Sequence, residues 1–358
     1  MSIMNSKSKK KFTKPYIIAE IGVNYYDIAR KNDTTPMESA KLMITEAARG
    51  GADAVKFQSY KAEKLVSVNS PAYWDKNEEP TESQFELFKK FDHFGAKEYK
   101  ELAQFCVEKK IDFLSTPFDL DAVEFLDEYM KYFKIASADI TNFPLIRAVA
   151  KKNKPILLST GASTIEEIQR ALNEMRKNNY DETVVLLHCI LSYPTKNINA
   201  NLNRINILKS EFPDCEIGYS DHTVPDKCMV ITTSAFVLGA IVIEKHFTLD
   251  KTLKGNDHYH AMDVEDLQKM RANLDLLYDI LSIKEKEYLA CEEIPRKQAR
   301  RSLFACNNIQ RGKKIEYSDL ICKRPGTGIS PIDIDKIVGK RAIRDIKSDD
   351  ILVWEKIK

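Results

Sequence analysis

The sequence predicts an α/β protein, a (β/α)8 TIM barrel followed by a small β-rich module. Three observations carry this reading. Eight short Val/Ile-rich runs alternate with longer amphipathic stretches, the rhythm of a parallel sheet with helical crossovers. Eight such units in roughly 270 residues match the size of a closed barrel. No Gly-rich dinucleotide turn follows any run, which disfavours the rival open, doubly wound sheet.

In order, the strand candidates are PYIIAEIG (15–22), ADAVKFQS (52–59), DFLSTPF (112–118), YFKIASAD (132–139), PILLSTG (155–161), VVLLHCI (184–190), EIGYSDH (216–222) and AIVIEKHF (240–247). Helical patterns between them include residues 36–51, 97–110 and 164–178. In the last, Ile165, Ile168, Leu172 and Met175 share one face, with charges opposite. The alternation stops after a helix ending near Ser282. The expected division is a flexible basic tail over 1–14, a catalytic barrel over 15–283, a charged linker over 284–298 and the β-rich module over 299–358. That module contains an internal echo: Ile309–Gly312–Ile315 has the spacing of Ile346–Asp349–Leu352, which suggests a pseudo-symmetric pair of half-motifs.

The 358 residues carry 55 Lys+Arg against 53 Asp+Glu, so charge gives no argument for nucleic acid or membrane as a partner. No apolar run approaches the roughly 18 residues of a spanning helix. The basic N-terminus MSIMNSKSKKKFTK lacks the apolar segment of a secretory signal. Seven scattered cysteines without a CxxC suit reduced thiols in the cytoplasm, with Cys189 and Cys215 as small core residues.

The strand ends carry the chemistry. Nearly every run starts apolar and finishes polar: Glu20, Lys56 with Gln58, Thr116, Lys134 with Ser137, Ser159, Ser220 with His222, Glu244 with His246. In a closed parallel barrel these ends meet on one rim, the face that holds active sites. Residues two apart point the same way, so Lys56/Gln58, Ser220/His222 and Glu244/His246 each face together.

His222 and His246 close the neighbouring seventh and eighth strands. Two imidazoles with open positions suit a divalent ion, Mn2+ first, with Mg2+ and Co2+ as alternatives. The blander reading is a pair of hydrogen-bonded rim histidines. Lys56 and Lys134, ringed by Thr116, Ser137, Ser159 and Ser220, are what a phosphate plus a carboxylate need. In the loop GNDHYHAM (255–262), Asp257 stands beside His258 and His260, which read as exposed loop histidines or as extensions of the metal site. Lys245 alternates outward, towards the helices, to snorkel or pair there.

The ordered set AEIGVN, ADAVKFQS, LSTPF, FKIASADITN, ILLSTGAS, LLHC…YPT, IGYSDHT, VIEKHFT and KRPGTGI resembles the sialic acid synthase family over residues 16–355. The resemblance implies a barrel followed by an antifreeze-like (SAF) domain, in a homodimer whose swapped small domain covers the partner's barrel mouth. It implies N-acetylneuraminate synthesis: phosphoenolpyruvate condensed with open-chain N-acetylmannosamine, an N-acetylated amino sugar, by C–O cleavage and phosphate release. It places His222 and His246 on the metal, and Lys56, Thr116, Lys134, Ser137, Ser159 and Ser220 on phosphoenolpyruvate. Gln58, Asp139, Tyr193 and Asp257 match sugar-contacting positions, Arg324 reaches the N-acetyl group across the dimer, and Glu20 transfers a proton or orients water.

The chain departs from the family near the sugar. The segment NYYDIARKNDTT after strand one is a long loop without glycine, Leu191 precedes Ser192–Tyr193, and Asp139 stands where Glu is common. Legionaminic or pseudaminic acid synthesis from a 2,4-diacetamido-2,4,6-trideoxyhexose therefore stays open. Two rivals differ in kind: a Schiff-base pyruvate aldolase using Lys134 or Lys56, and a module that only binds carbohydrate or ice.

Overall fold

The computed structural model describes residues 12–358 apart from 75, 77, 78, 256, 284 and 286. The chain forms two compact units, Met1–Leu281 and Ser282–Lys358.

All eight expected strands form: β1 (Tyr16–Gly22), β2 (Ala54–Ser59), β3 (Asp112–Pro117), β4 (Phe133–Ile135), β5 (Ile156–Ser159), β6 (Val184–His188), β7 (Glu216–Asp221) and β8 (Val242–His246). Their ladder order is β3-β2-β1-β8-β7-β6-β5-β4, and every pair in it is parallel. Pairing of the first strand with the last is what closes a barrel rather than extending a sheet. β3 and the short β4 lie side by side without ladder pairs and complete the ring.

Two apolar layers follow from the period of two along each strand. Outward residues such as Ile17, Val55, Phe133, Leu158, Leu186 and Ile243 pack against the helices. Inward residues Ile18, Ala54, Leu114, Leu157, Leu187 and Val242 fill the barrel's interior. Gly218 of β7 belongs to that crowded interior: a Cβ there would lie 2.3 Å from Leu187 Cδ2 and 2.7 Å from the Val242 carbonyl.

The helices begin where the sequence expects them. Pro36–Gly50 starts on a capping box between Thr35 and Glu38, and Ile165–Lys177 on the same device between Thr164 and Glu167. Ile168, Leu172 and Met175 are buried as their spacing requires, with Ile165 half-buried. Two expectations need correcting. Most of the loop after β1 is a helix, Tyr25–Asn32, because Tyr25, Tyr26 and Ile28 bury one face of it. Phe12, within the expected tail, is buried with its ring 4.9 Å from Tyr16 and 5.2 Å from Tyr132; residues 1–11 lie outside the described residues.

In the second unit an antiparallel pair, β9 (Ser302–Ala305) and β10 (Leu320–Lys323), stands on a core that includes Leu303, Ile309, Ile315, Ile346 and Leu352. The echo is structural: Ile309 and Ile346 bridge each other, and Gly312 and Asp349 both take left-handed backbone, with φ of 89° and 70°. The expected linker is partly helical, over Glu293–Ala299, where Lys297 pairs with Glu293 at 3.0 Å. Residues 284 and 286 of it lie outside the described residues.

Candidate active site

One step above the apolar interior, the next inward residue of nearly every strand is polar. Ile18 is followed by Glu20, Ala54 by Lys56, Leu114 by Thr116, Leu157 by Ser159, and Val242 by Glu244. The charged layer is thus the continuation of the core pattern to the C-terminal rim, and a cavity of about 500 Å³ opens above it. Thirteen of the fourteen site residues expected from sequence line this cavity. The other, Arg324, is exposed in the second unit, in the loop after β10. Ser302 anchors that loop by donating to the Pro325 carbonyl at 2.7 Å and accepting from the Gly328 amide at 2.8 Å.

The floor is a buried network of opposite charges. Lys56 Nζ lies 2.5 Å from Glu20 Oε2 and 3.8 Å from Glu244 Oε2, and it donates to Thr116 Oγ1 at 3.0 Å. Lys134 Nζ lies 3.3 Å from Glu244 Oε1, which also accepts from Ser220 Oγ at 2.9 Å. Gln58 Nε2 donates to the other oxygen of Glu20 at 3.0 Å. Unpaired, any of these charges would cost several kcal/mol to bury, on the order of the penalty for a lone ion in a protein interior.

Burial and pairing oppose each other in this network. Burial raises Glu20's carboxyl despite Lys56. Burial would raise Glu244 too, but Lys134 and Lys56 together hold it down at about 2. Burial would lower Lys56, yet Glu20 and Glu244 outweigh it and keep the ammonium above its ordinary value. Lys134 stays lowered, because burial outweighs its single close carboxylate.

At the rim three imidazoles gather. The His222 and His246 rings are 5.6 Å apart, His246 and His260 are 5.0 Å apart, and His222 and His260 are 6.3 Å apart. Asp257 reaches between them, with Oδ2 3.4 Å from His246 Nδ1 and Oδ1 3.7 Å from His260 Nε2. One donor atom each from His246, Asp257 and His260 falls within 4.8 Å of the others. His222 is not part of that group; its Nδ1 faces the Ile190 carbonyl at 2.7 Å and its ring lies 4.3 Å from that of Tyr193, tilted by 39°.

This donor set fits a divalent ion. His246 Nδ1 and both nitrogens of His260 are buried without a hydrogen-bond partner, an expense that a ligated cation removes. Burial keeps His222 near 4 and, aided by neighbouring imidazoles, His246 and His260 well below 6.5, so their lone pairs are free to ligate. Burial and Glu20 push Asp257 up to about 7, another sign of missing positive charge.

Some expectations change here and one is met. His258 and His260 are fully buried, not exposed: His258 Nδ1 lies 2.7 Å from Thr248 Oγ1 and its Nε2 3.4 Å from Asp27 Oδ2. Lys245 meets its expectation by pairing rather than snorkelling: it is 0% exposed, 2.7 Å from Asp221 Oδ2, and donates to the Thr223 carbonyl at 2.6 Å. Cys189 lines the cavity, its Sγ 3.1 Å from Ser137 Oγ. Cys215 is only half-buried, against the helix-side core. The helix after β1 supports the site through Asn24, which donates to the Phe247 carbonyl at 3.1 Å and accepts from the Asp257 amide at 3.4 Å.

Sequence reasoning missed the outer wall. Residues 60–94, between β2 and the helix Ala96–Lys109, supply Tyr60, Leu65, Trp74, Leu87, Phe88 and Phe91 to the cavity. No long periodic run marks that segment; its helices, Ala62–Leu65 and Gln84–Lys89, are too short to show one.

Comparison with known proteins agrees with this architecture. The NeuB family model matches residues 43–286, and the SAF domain model matches residues 300–358. The N,N'-diacetyllegionaminic acid synthase of Campylobacter jejuni is 37% identical over 95% of this chain and 99% of its own length. Human N-acetylneuraminate-9-phosphate synthase is 32% identical over 95% of this chain and 92% of its own. The crystal structure of an N-acetylneuraminic acid synthetase from Leptospira borgpetersenii, in complex with citrate, superposes with a TM-score of 0.67 at 34% identity, over 79% of this chain and 90% of that one. The chain belongs to the NeuB family of nonulosonic acid synthases, with a C-terminal SAF domain.

Proposed function

We propose that this chain condenses phosphoenolpyruvate with an open-chain 2-acetamido sugar, N-acetylmannosamine or a diacetamido-trideoxyhexose, to give a nine-carbon 2-keto acid and inorganic phosphate. The observation that carries the reading is the pair of buried lysines at the cavity floor, Lys56 and Lys134, each held beside a buried carboxylate. Small neutral sugars need no such cations; a ligand carrying a phosphate and a carboxylate does.

Charge balance supports the metal as well. Two lysines against Glu20 and Glu244 leave the floor formally neutral, and Asp257 at the rim adds a negative charge that repels a phosphorylated carboxylate. A divalent ion held by His246, Asp257 and His260, with His222 alongside, reverses that sign; Mn2+ suits this mixed imidazole and carboxylate set. Such an ion supplies Lewis acidity towards the sugar's aldehyde oxygen.

The chain's own residues divide the remaining work. Lys56, Lys134, Thr116, Ser137, Ser159 and Ser220 bind the phosphate and carboxylate of phosphoenolpyruvate. Gln58, Asp139 and Tyr193 position the sugar, and Arg324 from a second copy, in a swapped homodimer, donates to its N-acetyl carbonyl. Carbon 3 of the enol then bonds to the aldehyde carbon, whose oxygen takes up a proton. Water adds to carbon 2 and gives its proton to Glu20, whose burial raises its affinity for one. Cleavage of the carbon 2–oxygen bond releases phosphate, and loss of the hydroxyl proton leaves the ketone. The lysines stabilise the leaving phosphate where its charge develops.

Lys134 gives one specific reason to keep the Schiff-base reading in view, since burial lowers its ammonium towards the nucleophilic amine. The test is phosphate release from phosphoenolpyruvate in the presence of acceptor sugar and Mn2+, set beside borohydride trapping with pyruvate. Sugar-dependent phosphate release without a trapped adduct supports the condensation. A reduced lysine adduct without phosphate release refutes it.

A further inference from the structure

Three neighbouring strand ends meet at one hydroxyl. Ser137 follows β4, Gly161 follows β5 and Cys189 follows β6. The Gly161 amide donates to Ser137 Oγ at 2.9 Å, and Cys189 Sγ lies 3.1 Å from the same oxygen. A Cβ at Gly161 would lie 2.9 Å from both Sγ and Oγ, so a side chain there would wedge the three groups apart. Ser137 and Cys189 both line the cavity. Ser159, on the same cavity, is 3% exposed, and its Oγ is buried without a hydrogen-bond partner, left over for a ligand.

A serine hydroxyl has one proton to give and two lone pairs to fill. The Gly161 amide takes one lone pair of Ser137. Between Ser137 and Cys189 either atom can donate, and what occupies the cavity decides which. Sulfur is a weak acceptor, whereas an anionic oxygen forms a shorter and stronger charge-assisted bond. With an anion bound, the Ser137 proton turns to it and the thiol proton fills the second lone pair. Burial raises the Cys189 thiol above its ordinary value, so that proton is present at neutral pH. Each bond in such a chain polarises the next. We propose that Cys189 is a positioning residue for phosphoenolpyruvate: by donating to Ser137 Oγ, it commits the serine's own proton to the ligand's anionic end. This rests on the condensation proposed above and adds a residue that acts on the ligand through another.

The test titrates the full chain with phosphoenolpyruvate by calorimetry, in the presence of Mn2+, for the native chain and for Cys189→Ser, Cys189→Ala and Cys189→Val. Serine keeps a donor; alanine and valine do not, and valine keeps the bulk. Cys189→Ala and Cys189→Val are expected to raise Kd by about 3- to 10-fold, the scale of one hydrogen bond, with Cys189→Ser within about twofold of native. In a Ser137→Ala background, Cys189→Ala is expected to have no further effect, because its partner is gone. Equal Kd in all four chains overturns the inference. So does affinity that follows bulk, with Cys189→Val like native and Cys189→Ser as weak as Cys189→Ala, or an undiminished effect in the Ser137→Ala background. No phosphate release with any acceptor sugar overturns the condensation instead, and the Kd ranking, which needs no turnover, still decides the role of Cys189. If the native chain binds no phosphoenolpyruvate, inorganic phosphate is titrated under the same ranking; binding of neither overturns both.

Discussion

Lys56 Nζ lies 2.5 Å from Glu20 Oε2, so two charges from adjoining strands form one buried pair at the cavity floor. Neighbouring β1 and β2 hold both residues in register, Glu20 directly opposite Lys56. The pair keeps a cation in place before any substrate arrives, which spares reorganisation during the reaction.

Replacing that cation separates binding from chemistry. Lys56→Met is expected to lower kcat/KM for phosphoenolpyruvate by about 100- to 1,000-fold, the scale of losing one preorganised charge donor. Steady-state phosphate release measures this. Lys56→Arg does not restore activity, because a planar fork does not fit where a compact ammonium touches Glu20 and Thr116 together.

Metal removal tests the rim. EDTA is expected to abolish turnover and Mn2+ to restore it. His260→Ala and Asp257→Asn each weaken Mn2+ binding by about 10- to 100-fold, the loss typical when a metal site's support is removed. Electron paramagnetic resonance of free Mn2+ reads this without relying on activity. Comparing His222→Ala in the same titration decides whether His222 ligates or only lies beside the group.

The outer face of the same strand ends offers a stability test. Lys245 and Asp221 are paired and fully enclosed between sheet and helices. Asp221→Ala strands the ammonium and is expected to cost about 3–5 kcal/mol in denaturant unfolding, the range for breaking a buried pair. Replacing both partners by apolar residues of similar size costs far less.

The same pair fixes a pH dependence. Burial opposes ionisation of Asp221, but Lys245 and Thr223 outweigh it and hold the carboxyl below its ordinary 3.8. A depressed carboxylate stabilises the fold above that ordinary value and loses its contribution as pH falls towards the folded one. The stability gap between the native chain and Asp221→Asn is therefore expected to be constant from pH 8 to 5 and to shrink below about pH 4.

Gly218 is tightly confined in the interior. Gly218→Ala forces a methyl group to within 2.3 Å of Leu187 Cδ2 and is expected to lower stability by about 1–3 kcal/mol, as overpacked cores do. Thermal unfolding reads the loss.

What was legible in the sequence followed from the period of two. Ile18–Glu20, Ala54–Lys56 and Val242–Glu244 each announce an apolar interior rising to a charged rim, and the rim's identity needed only that alternation plus closure. Contacts between residues far apart in sequence were not legible. Nothing local to Lys245 names Asp221 as its partner, and nothing in GNDHYHAM reveals that Asn24, more than 200 residues earlier, draws Asp257 inward. Cys189 looked like core because a small apolar thiol fits core and cavity equally well. The wall from residues 60–94 was silent because its helices are too short for a hydrophobic period to develop.

The most direct measurement follows one oxygen. Phosphoenolpyruvate carrying oxygen-18 in its carbon–oxygen–phosphorus bridge is incubated with the chain, Mn2+ and acceptor sugar, and both products are weighed by mass spectrometry. Condensation at the Lys56–Lys134 floor predicts the label in inorganic phosphate and unlabelled oxygen from water in the nine-carbon keto acid. Label retained in the keto acid, or free pyruvate with no sugar adduct, would contradict it.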